Sequence, residues 1–538
     1  MTISIPKNFL KRLSLVLKKY HVFLVIILLG IISIFSFIFF YNNGLGLAYN
    51  DSRSHLDIGR RVVEGLKPGL AQLGSVWLPL PHVLMIPTIW HDFFWHTGLS
   101  GAIQSMISFI ATGLLIMAFL RHLKVGFFGQ IVGLIAFVFN FNIIYLQSTA
   151  MTELLLIATL LASSYELLRW YTTDKLVYLI RTAFWIMLTT LIRYEGWFLL
   201  FHATVLVLLY GWKKYGLKNI EGMFFFFTSF AGVGVVLWLL WNLMIFGDPL
   251  YFALGPYSAH SQQEQIESAG LLLTKGNALF STYTYSVATV YNVGIFPMLL
   301  AIIGGIYFVF DKSIGLRAKL ASTTLLAPFI FNVLALFLGH SVLFIPEIMG
   351  DSWFNIRYGI MMLPAVAIGI GYLVHRLKSL RFVILFLLLF VTFFSFTSWD
   401  AVTIDDAKAG SSQKNVSEVS GWLAENASDE KGFILISAAS HDAIIFTSGL
   451  PMKKFIHEGT GKYWDNATTM PDRWARWIIM RTNDETDLTF KLTNESEQLF
   501  KYDLIHTFPF ADIYQLKPEY LDKLQTEPVT EKNWNKVK

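Results

Sequence analysis

The segment Tyr49-Asn50-Asp51-Ser52-Arg53-Ser54-His55 follows the first long apolar run and brings a carboxylate, a guanidinium and an imidazole within seven residues. If a helix starts near Ser52, Asp51 lies at its positive end, where the helix dipole favours a carboxylate. His55 then falls one turn further along the same side. Arg53, Arg60 and Arg61 add positive charge. The same pattern serves equally well as a helix cap with arginines on lipid headgroups. Glu153 is the second candidate. It opens another apolar run after Gln147-Ser148-Thr149-Ala150-Met151-Thr152, where an acid also satisfies a first turn. Arg193-Tyr194-Glu195 lies between two short apolar runs, and Asn355-Ile356-Arg357-Tyr358 precedes a later one. Arginines at a membrane edge can snorkel to headgroups. Two of them against the charge bias of the chain point instead to an anionic partner such as a phosphate, which guanidinium grips in bidentate fashion. Acids and arginines on one membrane face suit the displacement of a phosphate by a hydroxyl. The carboxylate takes the acceptor proton, and the cations offset charge on the departing phosphate.

The elements that must position these residues are apolar. The 538 residues are 54% hydrophobic and only 15% charged, against roughly 25% charged in a soluble globular protein. A bilayer-crossing helix needs roughly 20 apolar residues. Runs that fit, or nearly fit, lie at 22–41, 99–119, 126–146, 153–170, 176–192, 196–212, 223–246, 288–310, 319–338, 358–375 and 382–399. The basic segment 1–21 precedes the first of them, and no small-residue cleavage site follows it, so it reads as an uncleaved span with a cytoplasmic N-terminus. With that orientation the inner turns hold Arg121/Lys124, Arg169/Lys175, Lys213/Lys214/Lys218, Lys312/Arg317/Lys319 and Arg376/Lys378/Arg381. All five are basic, as the positive-inside rule requires. Residues 22–399 then form a transmembrane domain with a long outer loop at 42–98. That loop has amphipathic stretches at 52–66 and 77–96, suited to helices at the membrane interface. From 400 to 538 the composition becomes that of a soluble extracytoplasmic domain. Gly432–Ser437, Lys453–Ile456, Trp477–Met480, Tyr502–His506 and Asp512–Gln515 read as strands, and 441–447 and 486–500 as helices, giving a small α/β layer.

Several classes are excluded. There is no cysteine, so there is no disulfide, thiolate metal site or cysteine nucleophile. No Walker loop, GxSxG, HExxH or dinucleotide fingerprint occurs. The net charge of +5 is small for this length, and no nucleic-acid partner is expected. Gln104, Gln130, Asn142, His202, Asn242 and Asn332 are scattered through the runs and read as interhelical hydrogen-bonding groups. They do not form the polar midplane path that a transporter needs.

The acid Asp51 just after the first run, Gly65-x-x-Pro68 and Trp77-Leu78-Pro79-Leu80-Pro81 in the loop that follows, Glu153, Arg193-Tyr194-Glu195, Gly247-Asp248-Pro249-Leu250-Tyr251 and Arg357-Tyr358 occur in a telling order. In these features, over about residues 20–400, the chain resembles the GT-C fold, lipid-carrier-dependent glycosyltransferases similar to protein O-mannosyltransferases and aminoarabinose transferases. The resemblance implies an all-α polytopic membrane protein of about 11 transmembrane helices with a C-terminal soluble α/β domain, in the plasma membrane. It implies a hexosyl- or pentosyltransferase that moves a sugar from a polyprenyl-phosphate donor to a hydroxyl of a protein, lipid or glycan acceptor on the extracytoplasmic face. By resemblance Asp51 is the general base of an inverting transfer and Glu153 orients the acceptor. Arg357, with Arg53 or Arg193, contacts the carrier phosphate, and His55, Glu195 and Tyr358 line the substrate site. Many relatives carry two adjacent acids after the first span. Here Asn50 and Ser52 flank Asp51, so a metal held by such a pair is not implied and no cofactor is required. Asp51 and Glu153 sharing a divalent ion has no further support in the sequence. The alternative is a lipid or glycan transporter without covalent chemistry. A third reading is a membrane-anchored binding protein whose tail does the work.

Overall fold

The computed structural model describes residues 7–529, apart from 256–257, 269, 347, 410–412 and 495. The expected basic segment 1–21 thus lies partly outside the described residues, and from Lys7 the chain is helical without a break to Asn42. Two compact units form. One comprises Met1–Leu45, Ala102–Trp241 and Ala259–Asp406, and the other Gly46–Gly101, Asn242–Ser258 and Ala407–Lys538. The loop after the first span therefore folds with the C-terminal segment, and the division falls at Asp406 rather than at 400.

The protein is an integral, multi-pass membrane protein. Among the described residues, seven helices are long and apolar enough to cross a bilayer: Tyr20–Asn42, Leu99–His122, Glu195–Tyr215, Ile220–Phe246, Leu316–Leu338, Ile356–Arg376 and Arg381–Ala409. The pair Ala278–Val293 and Ile295–Phe310, bent by 111°, adds an eighth if taken as one span. Every apolar run of the sequence is mainly helical, but three fall outside that count. Phe127–Val138 is separated from Phe141–Leu146, and Leu176–Thr190 is short. Glu153–Thr173 is long enough but carries Glu153, Glu166 and Arg169, and it is buried by protein along most of its length.

Both interruptions of the bundle have a local cause. The Asn140 side chain accepts from the Ile143 amide at 3.0 Å and caps a new helix. Asn140 and Asn142 also donate through Nδ2 to the Asn292 carbonyl, at 2.8 and 2.9 Å, beside the bend at Gly294. Side-chain amides thus satisfy a carbonyl at the end of a helix, as a bilayer demands. Helices Phe127–Val138 and Leu363–Arg376 approach closely through small residues. A Cβ on Gly129 would stand 2.6 Å from the Gly371 carbonyl oxygen, so only glycine permits this contact.

The second unit is built on a five-stranded sheet. A hairpin of β1 (Phe344–Ile345) and β2 (Met349–Phe354) belongs to the membrane unit. The sheet comprises β3 (Phe433–Ile436), β4 (Phe455–Ile456), β5 (Ala475–Met480), β6 (Tyr502–Thr507) and β7 (Asp512–Leu516) in the order β4-β3-β5-β7-β6. β3 pairs in parallel with β4 and β5, and β7 runs antiparallel to β5 and β6. All four residues of β3 are buried, as a continuous apolar strand between two layers requires. Trp464, Trp474, Ile478, Phe490 and Leu516 fill the core, and Leu66 from the loop 42–98 packs against it. The amphipathic stretches of that loop form helices Asn50–Val63, Leu80–Ile89 and Asp92–His96. Helix Gln413–Ala427 was not foreseen, and the helix expected at 486–500 is confined to Leu488–Thr493.

Candidate functional site

Glu153 opens helix Glu153–Thr173 and is fully buried. Its Oε1 accepts from Arg193 Nη1 at 3.3 Å and from Arg357 Nε at 3.1 Å. Arg193 also reaches Glu195 Oε1 through Nη2 at 3.1 Å, and Arg357 Nη1 stands 3.5 Å from Asp406 Oδ2. The Tyr358 ring underlies both guanidiniums, 4.7 Å from Arg193 and 5.3 Å from Arg357. The backbone sets this arrangement. Arg193 lies in a turn so tight that a Cβ on Gly196 would meet the Thr189 carbonyl at 2.5 Å. Asn355 takes a left-handed conformation (φ 57°) that turns the chain into Ile356–Met362, and its amide donates to the Val342 carbonyl at 3.0 Å. The structure thus gathers Glu153, Arg193, Glu195, Arg357 and Tyr358, all named from sequence. It adds Asp406, whose only signal was its place just beyond the last apolar run. The arginines do not wait for an anion, because three carboxylates face the two guanidiniums. Buried charge in low dielectric must be paired. Glu153 Oε2 is buried and has no hydrogen-bond partner.

Asp51, Arg53 and His55 belong to the second unit. Asp51 sits half-buried in the first turn of Asn50–Val63, at the positive end expected from sequence. Arg53 is buried and donates through Nε to the Leu47 carbonyl at 3.0 Å. His55 Nδ1 lies 2.8 Å from His82 Nε2, so one ring donates and the other accepts, and His55 also packs on Trp77 with ring centres 4.3 Å apart. Ser54 donates to Asp442. Asp57 is buried and accepts from Trp95 Nε1 at 3.0 Å. Burial, reinforced by the charge of Asp442, pushes the Asp57 carboxyl well above the usual range. Burial also holds His82 well below its ordinary value and pushes His457 down to about 3, with the Arg61 charge adding to both effects. Arg61 Nε is buried without a hydrogen-bond partner. Arg60, by contrast, is a clamp. It donates to the Ile89 and Trp90 carbonyls at 2.9 and 2.7 Å, pairs with Asp92 at 2.6 Å and lies over the Trp95 ring.

Sequence reasoning passed over Asp57, His82 and Asp442. Asp57 and His82 lie on the amphipathic stretches already singled out, while nothing in the sequence links Asp442 to a helix almost 400 residues earlier. In Gly247-Asp248-Pro249-Leu250-Tyr251, Asp248 accepts from the Leu250 amide at 2.8 Å, which makes it a turn residue. Among the described residues no three His, Asp or Glu side chains are arranged to hold a metal ion. Beside the bend at Gly294 a cavity of about 350 Å³ has walls that include Phe141, Leu388 and Phe394, with the amides of Asn140, Asn142 and Asn292 among its lining.

Most of the chain can be matched to solved structures. ArnT from Cupriavidus metallidurans bound to undecaprenyl phosphate covers 90% of this chain and 98% of its own, with a TM-score of 0.56 at 10% identity. The chain has the GT-C fold. The same protein in the apo state matches over 87% of this chain and 94% of its own, with a TM-score of 0.55 at 10% identity. An oligosaccharyltransferase from Archaeoglobus fulgidus in complex with Zn and sulfate covers 85% of this chain and 67% of its own, with a TM-score of 0.49 at 12% identity. No family model and no curated protein matches the sequence.

Proposed function

We propose that this protein is a membrane glycosyltransferase that moves a sugar from a polyprenyl-phosphate carrier to an acceptor hydroxyl on the extracytoplasmic face. The reading rests on one observation above all: the likeness to ArnT, crystallised with undecaprenyl phosphate, runs through 98% of that chain. In the step proposed, the acceptor oxygen attacks the anomeric carbon of the sugar. Asp51 takes the acceptor proton. The bond from the anomeric carbon to the phosphate oxygen breaks, the electron pair leaves with the lipid phosphate, and the configuration inverts. The free Oε2 of Glu153 suits an acceptor hydroxyl. Arg357, with Arg193, contacts the carrier phosphate, and both can do so while keeping their carboxylate partners. Arg193 and Arg357 already bind carboxylates in this structure, so their part is to present Glu153 as well as to meet an anion. The cavity beside Gly294 suits a stretch of the carrier chain. The N-terminus is cytoplasmic and the C-terminal unit extracytoplasmic, following the basic inner turns.

The test is transfer by the purified full chain in lipid nanodiscs. A panel of decaprenyl-phosphate donors carrying mannose, glucose, galactose or arabinose is supplied, and release of decaprenyl phosphate is followed. Turnover of at least one donor and its loss in Asp51→Asn are the expected results. Sugar-lipid movement across the bilayer with no covalent product from any donor would favour a transporter and overturn the reading.

A further inference from the structure

Asp51 and Ser54 lie three residues apart on helix Asn50–Val63, a spacing that sets two side chains next to each other on one face. The Ser54 hydroxyl donates to Oδ2 of Asp442, which comes from helix Ala438–Ser448 in the C-terminal part of the same unit. Asp442 is close enough for the charge of Asp51 to act on it. Burial, with a smaller contribution from Asp51, pushes its carboxyl above the usual range, while the Ser54 hydrogen bond and the Arg61 charge pull the other way.

The way Asp442 is held is specific. Helix Ala438–Ser448 is kinked at His441 (φ −138°, ψ 25°), and the residues on either side of that kink face different partners. His441 is fully buried and binds Asp487 Oδ2 through Nε2 at 2.6 Å. Asp487 is itself fixed by the backbone amides of Arg481, Thr489 and Phe490, at 2.8, 2.8 and 3.3 Å. The His441–Asp487 pair pins the kink beyond the end of β5. Asp442 is left half-buried against Ser54.

We propose that Asp442 is a positioning residue for proton transfer at Asp51, receiving through the Ser54 hydroxyl the proton that Asp51 takes from the acceptor. The protonated Asp51 gives its proton to Ser54 Oγ as the Ser54 proton passes to Asp442. One O–H bond forms and one breaks at each step, and Asp442 then releases the proton to water. Asp51 returns to its ionised form for the next turnover. This gives the C-terminal part of the unit a task in the reaction, and it rests on the reading of Asp51 as the base.

The experiment compares Asp442→Asn, Asp442→Glu, Ser54→Ala and the Asp442→Asn/Ser54→Ala double variant with the parent chain, using the decaprenyl-phosphate donor that turns over. Asp442→Asn and Ser54→Ala are each expected to lower kcat by about tenfold or more, with KM for the donor within about twofold, because a broken relay slows the return of Asp51 to its ionised form and leaves donor binding alone. The double variant is expected to be no worse than either single one, as for two members of one path. Asp442→Glu is expected to recover most of kcat. Melting temperatures report folding, and Ser54→Ala carries the test if Asp442→Asn does not fold. Unchanged kcat in Ser54→Ala and in folded Asp442→Asn would overturn the relay, as would losses that multiply in the double variant. If Asp51→Asn is inactive while those variants keep full activity, only the relay falls. If Asp51→Asn retains activity, the base assignment falls, and the relay with it.

Discussion

The two units hold their buried charge in opposite ways. Around Glu153 both guanidiniums have carboxylate oxygens within 3.5 Å, and Tyr358 closes over the pair. Along helix Asn50–Val63 the groups are just as buried but less evenly matched. Asp57 Oδ2 and Arg61 Nε have no hydrogen-bond partner, and His82 and His457 are held neutral by burial. The cations around Glu153 are thus matched, although Glu153 Oε2 accepts no hydrogen bond, and removing one member of such a buried network is costly. A cluster of carboxyls and imidazoles with unmet capacity is where a proton can move at low cost. On the proposed reading, the membrane unit supplies the frame and the second unit the acid–base chemistry.

The comparison would break first at Asp51 and Arg357. Asp51→Asn is expected to lower kcat by about 10² to 10⁴, the range for a lost general base, with no change in melting temperature. Arg357→Met is expected to lower stability as well as donor binding. It takes one of two arginine partners from Glu153 and the Arg357 ion pair from Asp406, both carboxylates at least 97% buried, at a cost of about 3 kcal/mol in stability, read as a lowered melting temperature of the full chain in detergent. If Arg357→Met instead raised KM for the donor with no loss of stability, the arginine would be a phosphate ligand first and a frame residue second.

Much of this was legible beforehand, for identifiable reasons. Membrane helices declare themselves because each run must be apolar on its own, so every run expected from sequence is mainly helical. Asp51 could be placed at a helix start because Tyr49–His55 follows a span directly. Glu153, Arg193 and Arg357 could be picked out because charge beside apolar runs is rare. Their mutual pairing was not legible, since it joins residues up to about 200 positions apart, and the arginines were therefore expected to be waiting for an anion. The membership of loop 42–98 in the C-terminal unit was hidden for the same reason. Leu66 and Ser54 carry no local mark of the partners they meet at the sheet core and at Asp442.

The buried ionisable groups of the second unit also predict a pH response. His457 has its folded value pushed down to about 3, against 6.5 when free. Above 6.5 it is neutral in both states and contributes nothing. As the pH falls below 6.5 the unfolded chain gains a proton that the folded chain refuses, so stability drops. Between about pH 6.5 and pH 5 the loss is about 2 kcal/mol. Asp57 works in the other direction. Its folded value is raised, so its contribution is present at low pH and is lost as the pH rises. Melting the full chain at about pH 5 and pH 7.5 separates the two. His457→Gln is expected to remove part of the acid sensitivity, and Asp57→Asn to steepen it. Identical pH profiles for parent and His457→Gln would show that the imidazole is not held neutral by the fold.

The smallest effect sharpens the comparison most, because it lies inside the second unit. Arg60 is a paired group there, the counterpart of Arg357. Its ion pair with Asp92 is short, at 2.6 Å, but the Asp92 side chain is 73% exposed while that of Arg60 is 7% exposed. Asp92→Asn is therefore expected to cost no more than about 0.5 kcal/mol, since solvent screens the exposed partner. Arg60→Met should cost several times more, because it leaves the Ile89 and Trp90 carbonyls without their donor and removes the cation over Trp95. Melting temperatures of the two variants test this directly. An equal loss in both would mean that the ion pair itself holds helix Asn50–Val63. An unequal loss means that the buried contacts of Arg60, its carbonyl bonds and its pair with Glu64, hold it, and that exposed acids such as Asp92 can be changed without disturbing Asp51 on the same helix.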